Sequence, residues 1–140
     1  MTPLPQTTTR PVRVTAPSPR VLIVEDELLV AWQLESLARD QNLDVCGLVP
    51  DGEGAIEQAA DLNVDLVLMD IRLAGRMDGV EAARRILDQR GTPVIFVTAH
   101  GDPATRAHVE RTVPGAPVLT KPISAGQLRD AIATALKTPG

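Results

Sequence analysis

Residues 21–27 read Val-Leu-Ile-Val-Glu-Asp-Glu, four apolar side chains running straight into three carboxylates. An apolar run of that length, with no polar alternation, is the pattern of a strand covered on both faces. Similar runs recur at 45–49, 65–69, 94–97 and 116–119, and the segments between them carry apolar residues at helical spacing. Strands alternating with helices make βα units around a parallel sheet. The expectation is an α/β fold, a doubly wound five-stranded parallel sheet with five helices.

The first helix is expected at about 27–41, with Val30, Leu34, Leu37 and Ala38 on the stripe that packs on the sheet and Leu28, Leu29 and Trp32 off it. The second, about 53–61, is short. The third opens with Asp78 and Glu81 at capping-box spacing, carries Val80, Ala83 and Leu87, and ends at Gly91. A fourth, about 103–112, has Asp102 as cap and Pro103 in its first turn, but Val109 is its only large apolar residue, so it is expected to be weakly held. The fifth begins with a second capping box, Ser124 and Gln127, ahead of Leu128, Ile132 and Leu136.

A chain of 140 residues holds one hydrophobic core, so its chemistry falls in one domain, expected at 20–137. Residues 1–19, rich in proline and threonine with no acidic residue, read as a flexible tail. The prolines oppose the amphipathic helix that a transit peptide needs. A net charge of −4 gives no basic face for nucleic acid or an anionic membrane, and no apolar stretch is long enough to span a bilayer. The single cysteine, Cys46, reads as a small buried side chain in a reducing cytoplasm.

In a doubly wound sheet the ligand site lies beyond the carboxyl ends of the strands, so the residues just after each apolar run carry the information. These are Glu25 and Asp26 after the first run, Asp70 after the third, Thr98 and Ala99 after the fourth, and Lys121 before Pro122 after the fifth. Three carboxylates brought together repel one another and call for a compensating cation. Oxygen donors with no histidine or thiolate among them favour Mg²⁺, which characteristically engages phosphate oxygens. Asp70 then reads as a covalent phosphoryl acceptor, with Lys121 and Thr98 neutralising and hydrogen-bonding the transferred oxygens.

These pieces, VLIVEDE with Glu25 and Asp26, LVLMD with Asp70, DGVEAARRI with Gly79, PVIFVTA with Thr98 and LTKP with Lys121, resemble the receiver domain family of bacterial two-component signalling over about residues 20–137. The resemblance implies the flavodoxin-like receiver fold, phosphorylation of Asp70 by a histidine kinase or histidine phosphotransfer protein, and service as an interaction switch or a phosphate sink in a stand-alone receiver. It implies that Asp26, Asp70 and the backbone carbonyl of Arg72 bind Mg²⁺ directly, that Glu25 acts through a metal-bound water, and that the Lys121–Pro122 peptide is cis. It makes the chain no enzyme beyond slow self-dephosphorylation.

Two features depart from the family pattern. Val118 stands three before Lys121, where an aromatic residue is typical, and the chain has no tyrosine. The loop from Asp70 to Gly79 is one residue longer than usual and has Ala74 where proline is frequent. Other readings fit the residues less well. A pseudo-receiver kept for protein interaction alone is opposed by the intact acceptor, acidic pair, Thr98 and Lys121. An aspartate-nucleophile phosphohydrolase would want a second acid where Arg72 stands. A flavin protein would want a hydroxyl- and glycine-rich loop in place of Glu25 and Asp26. His100, two beyond Thr98, and Arg72, two beyond Asp70, read either as residues that tune the site or as solvated loop residues, and His108 as a solvent-facing helix residue. Trp32 reads as a partner contact or as packing at the helix edge.

Overall fold

All four residues of Leu66–Met69 and all five of Val94–Thr98 are buried, which a strand reaches only when both faces of its sheet are covered. The computed structural model describes residues 18–61 and 63–136. It alternates β1 (Arg20–Val24), α1 (Leu28–Asp40), β2 (Asp44–Val49), α2 (Gly52–Asp61), β3 (Leu66–Met69), α3 (Gly79–Arg90), β4 (Val94–Thr98), α4 (Pro103–Thr112), β5 (Val118–Thr120) and α5 (Ala125–Ala135). The strands are parallel and ordered β2-β1-β3-β4-β5, so the chain winds outward from β1 in both directions. This is the doubly wound five-stranded sheet that the alternating runs imply.

Successive strand side chains face opposite sides. Leu22, Val24, Val67, Met69, Val94 and Phe96 meet Ala55 and Ala59 of α2, Val80, Ala83 and Ile86 of α3, and Val109 of α4. Val21, Ile23, Leu66, Leu68, Ile95 and Val97 meet Leu34 and Ala38 of α1 and Leu128 and Ala131 of α5. Two helices thus cover one face and three the other. No described helix is long and apolar enough to cross a membrane.

Local chemistry sets most element ends. Gly91 closes α3 in the left-handed region at φ 69°, where a side chain would be strained. Ser124 and Gln127 make the complete capping box of α5. Asp102 caps α4 by accepting from the Thr105 N–H, and Val109 is the one buried residue of that helix. His108 beside it is half-buried and not fully solvent-facing.

Some expectations need correction. β5 starts at Val118, two residues later than its apolar run, because Pro117 has no N–H to give the ladder, although its carbonyl accepts from Phe96 at 2.9 Å. The α3 box is half made: Asp78 accepts from the Glu81 N–H at 2.9 Å, while the Glu81 carboxylate accepts from Arg85 at 2.8 Å. Cys46 is only half-buried because β2 is an edge strand, and its thiol donates to the Val21 carbonyl at 3.3 Å. Burial pushes that thiol pKa up. Of the tail expected at 1–19, residues 1–17 lie outside the described residues, as does residue 137 at the far end of the expected domain.

Candidate functional site

The strand order reverses beside β1, and the first residues beyond β1 and β3 are therefore neighbours. The ladder continues one step past both strands: the Glu25 N–H donates to the Val49 carbonyl and the Asp70 N–H to the Val24 carbonyl, each at 2.9 Å. This fixes the backbones from which two carboxylates project. One carboxylate oxygen from each of Glu25, Asp26 and Asp70 lies within 4.8 Å of the others, with Glu25 and Asp70 buried and Asp26 exposed.

Lys121 reaches this cluster from the far edge of the sheet. Its backbone N–H donates to the Thr98 carbonyl at 2.8 Å, and its peptide bond to Pro122 is cis. From there the ammonium donates to Glu25 Oε1 at 2.5 Å and to Asp70 Oδ2 at 3.2 Å. The Glu25 side chain is 0% exposed, the Asp70 side chain 9% and the Lys121 side chain 15%. Part of the compensation that three carboxylates demand thus comes from the lysine itself.

The electrostatics follow from burial. Desolvation pushes the Glu25 pKa up, and the negative charge of Asp70 adds to it. The bonds from Lys121 and from the Glu27 N–H pull it down without prevailing. For Lys121 burial disfavours the charge, but the bond to Glu25 and the charges of Asp70 and Glu25 prevail and the pKa rises.

The remaining sequence candidates fall around this core. Thr98 is fully buried at the end of β4, and its Oγ1 accepts from the His100 N–H at 3.0 Å, so the hydroxyl is engaged with its own loop. Arg72 is exposed on the β3–α3 loop, and its positive charge contributes to holding the Asp102 carboxyl below its usual range, behind the larger effect of the Thr105 hydrogen bonds. His100 is exposed.

Gly79 stands in the sequence only as part of a motif, and its structural reason is not legible there. A Cβ on Gly79 would stand 1.9 Å from the Asp70 carbonyl oxygen, and the Gly79 N–H donates to the Ile71 carbonyl at 2.7 Å. The start of α3 therefore lies directly on the backbone of Asp70. The only sequence signal is a glycine in the first turn of a helix, where glycine is otherwise unfavourable.

A doubly wound α/β module with an acidic cluster and an opposed lysine at the carboxyl ends of its strands defines a receiver-type module. The chain belongs to the response regulator receiver domain family, whose model matches residues 21–133. It is 36% identical over 119 residues to the transcriptional regulatory protein PdtaR of Mycobacterium tuberculosis, covering 84% of this chain and 56% of that protein. The chain thus spans about half the length of that relative. Among solved structures it is similar to the signal receiver domain of a modulated diguanylate cyclase from Desulfovibrio desulfuricans G20, at TM-score 0.78 and 39% identity over 85% of this chain and 94% of that one. The receiver domain of the PhyR response regulator from Erythrobacter litoralis gives TM-score 0.75 and 37% identity over 88% and 95%.

The donor set suits the divalent cation that receiver domains bind in an acidic pocket. All its atoms are carboxylate oxygens, with no imidazole or thiolate in the cluster, which favours Mg²⁺ over zinc.

Proposed function

We propose that this chain is a phosphoacceptor: Asp70 takes a phosphoryl group from the phosphohistidine of a histidine kinase or histidine phosphotransfer protein, and the two forms bind partners differently. The supporting observation is the placement of Asp70 at a central strand end, with Lys121 Nζ 3.2 Å from its Oδ2 and two further carboxylates beside it. In the transfer an Asp70 oxygen attacks phosphorus and the P–N bond to the donor imidazole breaks. The imidazole keeps the bonding electrons and takes up a proton. Lys121 donates to one transferred oxygen and the Thr98 hydroxyl to another, which stabilises charge as it develops. Self-dephosphorylation is the slow attack of water on phosphorus, which returns Asp70 as a carboxylate.

Asp26, Asp70 and the Arg72 carbonyl would hold Mg²⁺, with Glu25 acting through water, and the ion would supply positive charge next to the transferred group. Glu25 has a second part: its carboxylate holds the Lys121 ammonium beside Asp70. The receiver unit in this reading is residues 20–137 and its setting the cytoplasm. The test is intact-mass spectrometry after incubation with acetyl phosphate. A gain of one phosphoryl group that requires Mg²⁺ and is suppressed by a chelator supports the reading. No gain with Mg²⁺ present would favour a fold kept for protein interaction alone.

A further inference from the structure

Val118 on β5 carries no ring; it pairs with Phe96 of β4 and packs on the cluster that holds Val109 of α4, while the polar contacts at the end of β5 are made by other residues. A Cβ on Gly101 would lie 2.3 Å from Thr120 Oγ1, so the β4–α4 loop rests directly on the last residue of β5. Arg106, in the second turn of α4, reaches back over both. Its Nε donates to the Gly101 carbonyl at 2.9 Å and its Nη2 to Thr120 Oγ1 at 3.3 Å. A guanidinium is a planar fork with fixed donor spacing, so both bonds hold only while the Gly101 carbonyl and the Thr120 hydroxyl keep their relative position within reach of α4. Val109 is the one buried residue of α4, and Arg84 of α3 donates to the Thr112 carbonyl at its far end at 3.1 Å, so the fork is the polar tie between the start of the helix and β5.

The loop is also tied to the site. Thr98 Oγ1 accepts from the His100 N–H at 3.0 Å, one residue before Gly101, while the Thr98 carbonyl stays anchored by the Lys121 N–H at 2.8 Å. Movement of the hydroxyl therefore pulls the loop while the strand end stays in place.

We propose that Arg106 is a positioning residue that couples phosphoryl occupancy at Asp70 to the position of α4, through its fork on Gly101 and Thr120. This rests on the reading above, in which the Thr98 hydroxyl donates to the transferred phosphoryl group. When Thr98 turns to that group, the His100 N–H follows, the Gly101 carbonyl shifts relative to Thr120, and the fork loses one of its partners. α4 is then released from β5.

The experiment is amide exchange of the full chain with and without acetyl phosphate and Mg²⁺, with phosphoryl occupancy read by intact mass on the same samples. In the wild type, residues 103–112 should exchange about tenfold faster once the chain is labelled. Arg106→Met should label normally, show fast exchange in this segment before labelling, and change little on labelling. Thr120→Val, which keeps shape and removes one partner, should shift exchange the same way, and the double variant should be no faster than Arg106→Met. A labelling-dependent increase that survives in both single variants would overturn the proposal, since a merely structural arginine speeds exchange equally in both forms. If Arg106→Met does not fold, Thr120→Val decides alone. Absence of labelling in the wild type would instead overturn the phosphoacceptor reading, and this proposal with it.

Discussion

Lys121 and Gly79 show how single residues fix the site. An ammonium 2.5 Å from one buried carboxylate and 3.2 Å from another offsets charge that burial would otherwise push off Glu25. The convergence of Glu25, Asp26, Asp70 and Lys121 was legible because they follow three apolar runs, the first two residues sharing one, and in a parallel sheet those ends share one edge. That Lys121 pairs most closely with Glu25 was not legible, because the choice between two carboxylates depends on side-chain reach across 96 positions of sequence separation. Gly79 gives a sharper test. A methyl group 1.9 Å from the Asp70 carbonyl meets backbone, which cannot rotate away. Gly79→Ala should therefore destabilise the protein by about 1–3 kcal/mol in urea unfolding, the usual cost of overpacking, and slow labelling of Asp70. Unchanged stability would mean that the start of α3 does not press on that carbonyl.

At the scale of elements, patterning was read well where burial is two-sided and less well where a single backbone group decides. The fully buried strands β3 and β4 stand within one residue of their apolar runs, whereas the start of β5 moved because Pro117 donates nothing to the ladder. The α3 capping box looked complete in sequence, yet Arg85, four residues on, takes the Glu81 carboxylate. That α4 buries a single residue was legible from its one large apolar side chain, but the Arg106 fork was invisible, since nothing in a sequence tells an exposed arginine from a tether. The α4 cap yields a pH prediction. Hydrogen bonds from Thr105 lower the Asp102 pKa below the ordinary 3.8, so its charged form is favoured in the folded state. A depressed carboxylate contributes stability that is present above its unfolded pKa and lost as pH falls through the folded one. An asparagine in its place would cap without titrating. The stability advantage of the wild type over Asp102→Asn should thus hold at neutral pH and shrink as pH falls below 3.8, read as the difference in melting temperature. A difference that stays constant through that range would mean that the cap does not depend on the charge.

For the molecule as a whole, the winding order leaves the site open at one edge of the sheet, with the start of α1 beside it. Leu28, Leu29 and Trp32 are 57%, 71% and 51% exposed there, while the opposite stripe, Ala31, Leu34 and Ala38, serves the core. In the proposed phosphotransfer a donor histidine would approach Asp70 over that edge, where exposed apolar side chains with a tryptophan among them are the kind of anchor that interfaces use. Trp32→Ala is expected to slow transfer from a cognate histidine donor about tenfold, equivalent to roughly 1.4 kcal/mol, and to leave labelling by acetyl phosphate nearly unchanged. Equal losses with both donors would make Trp32 a folding residue, and no loss with either would remove this edge from the docking surface. The central claim concerns one atom pair, the bond between an Asp70 oxygen and phosphorus. An aspartyl phosphate is an acyl phosphate, and borohydride reduces it to homoserine, which tandem mass spectrometry locates in the chain. After incubation with acetyl phosphate and Mg²⁺, reduction should leave homoserine at position 70 and nowhere else, with none formed in Asp70→Asn. Homoserine at Asp26 or any other aspartate of the wild type, or a phosphoryl group that leaves no homoserine at all, would contradict the account.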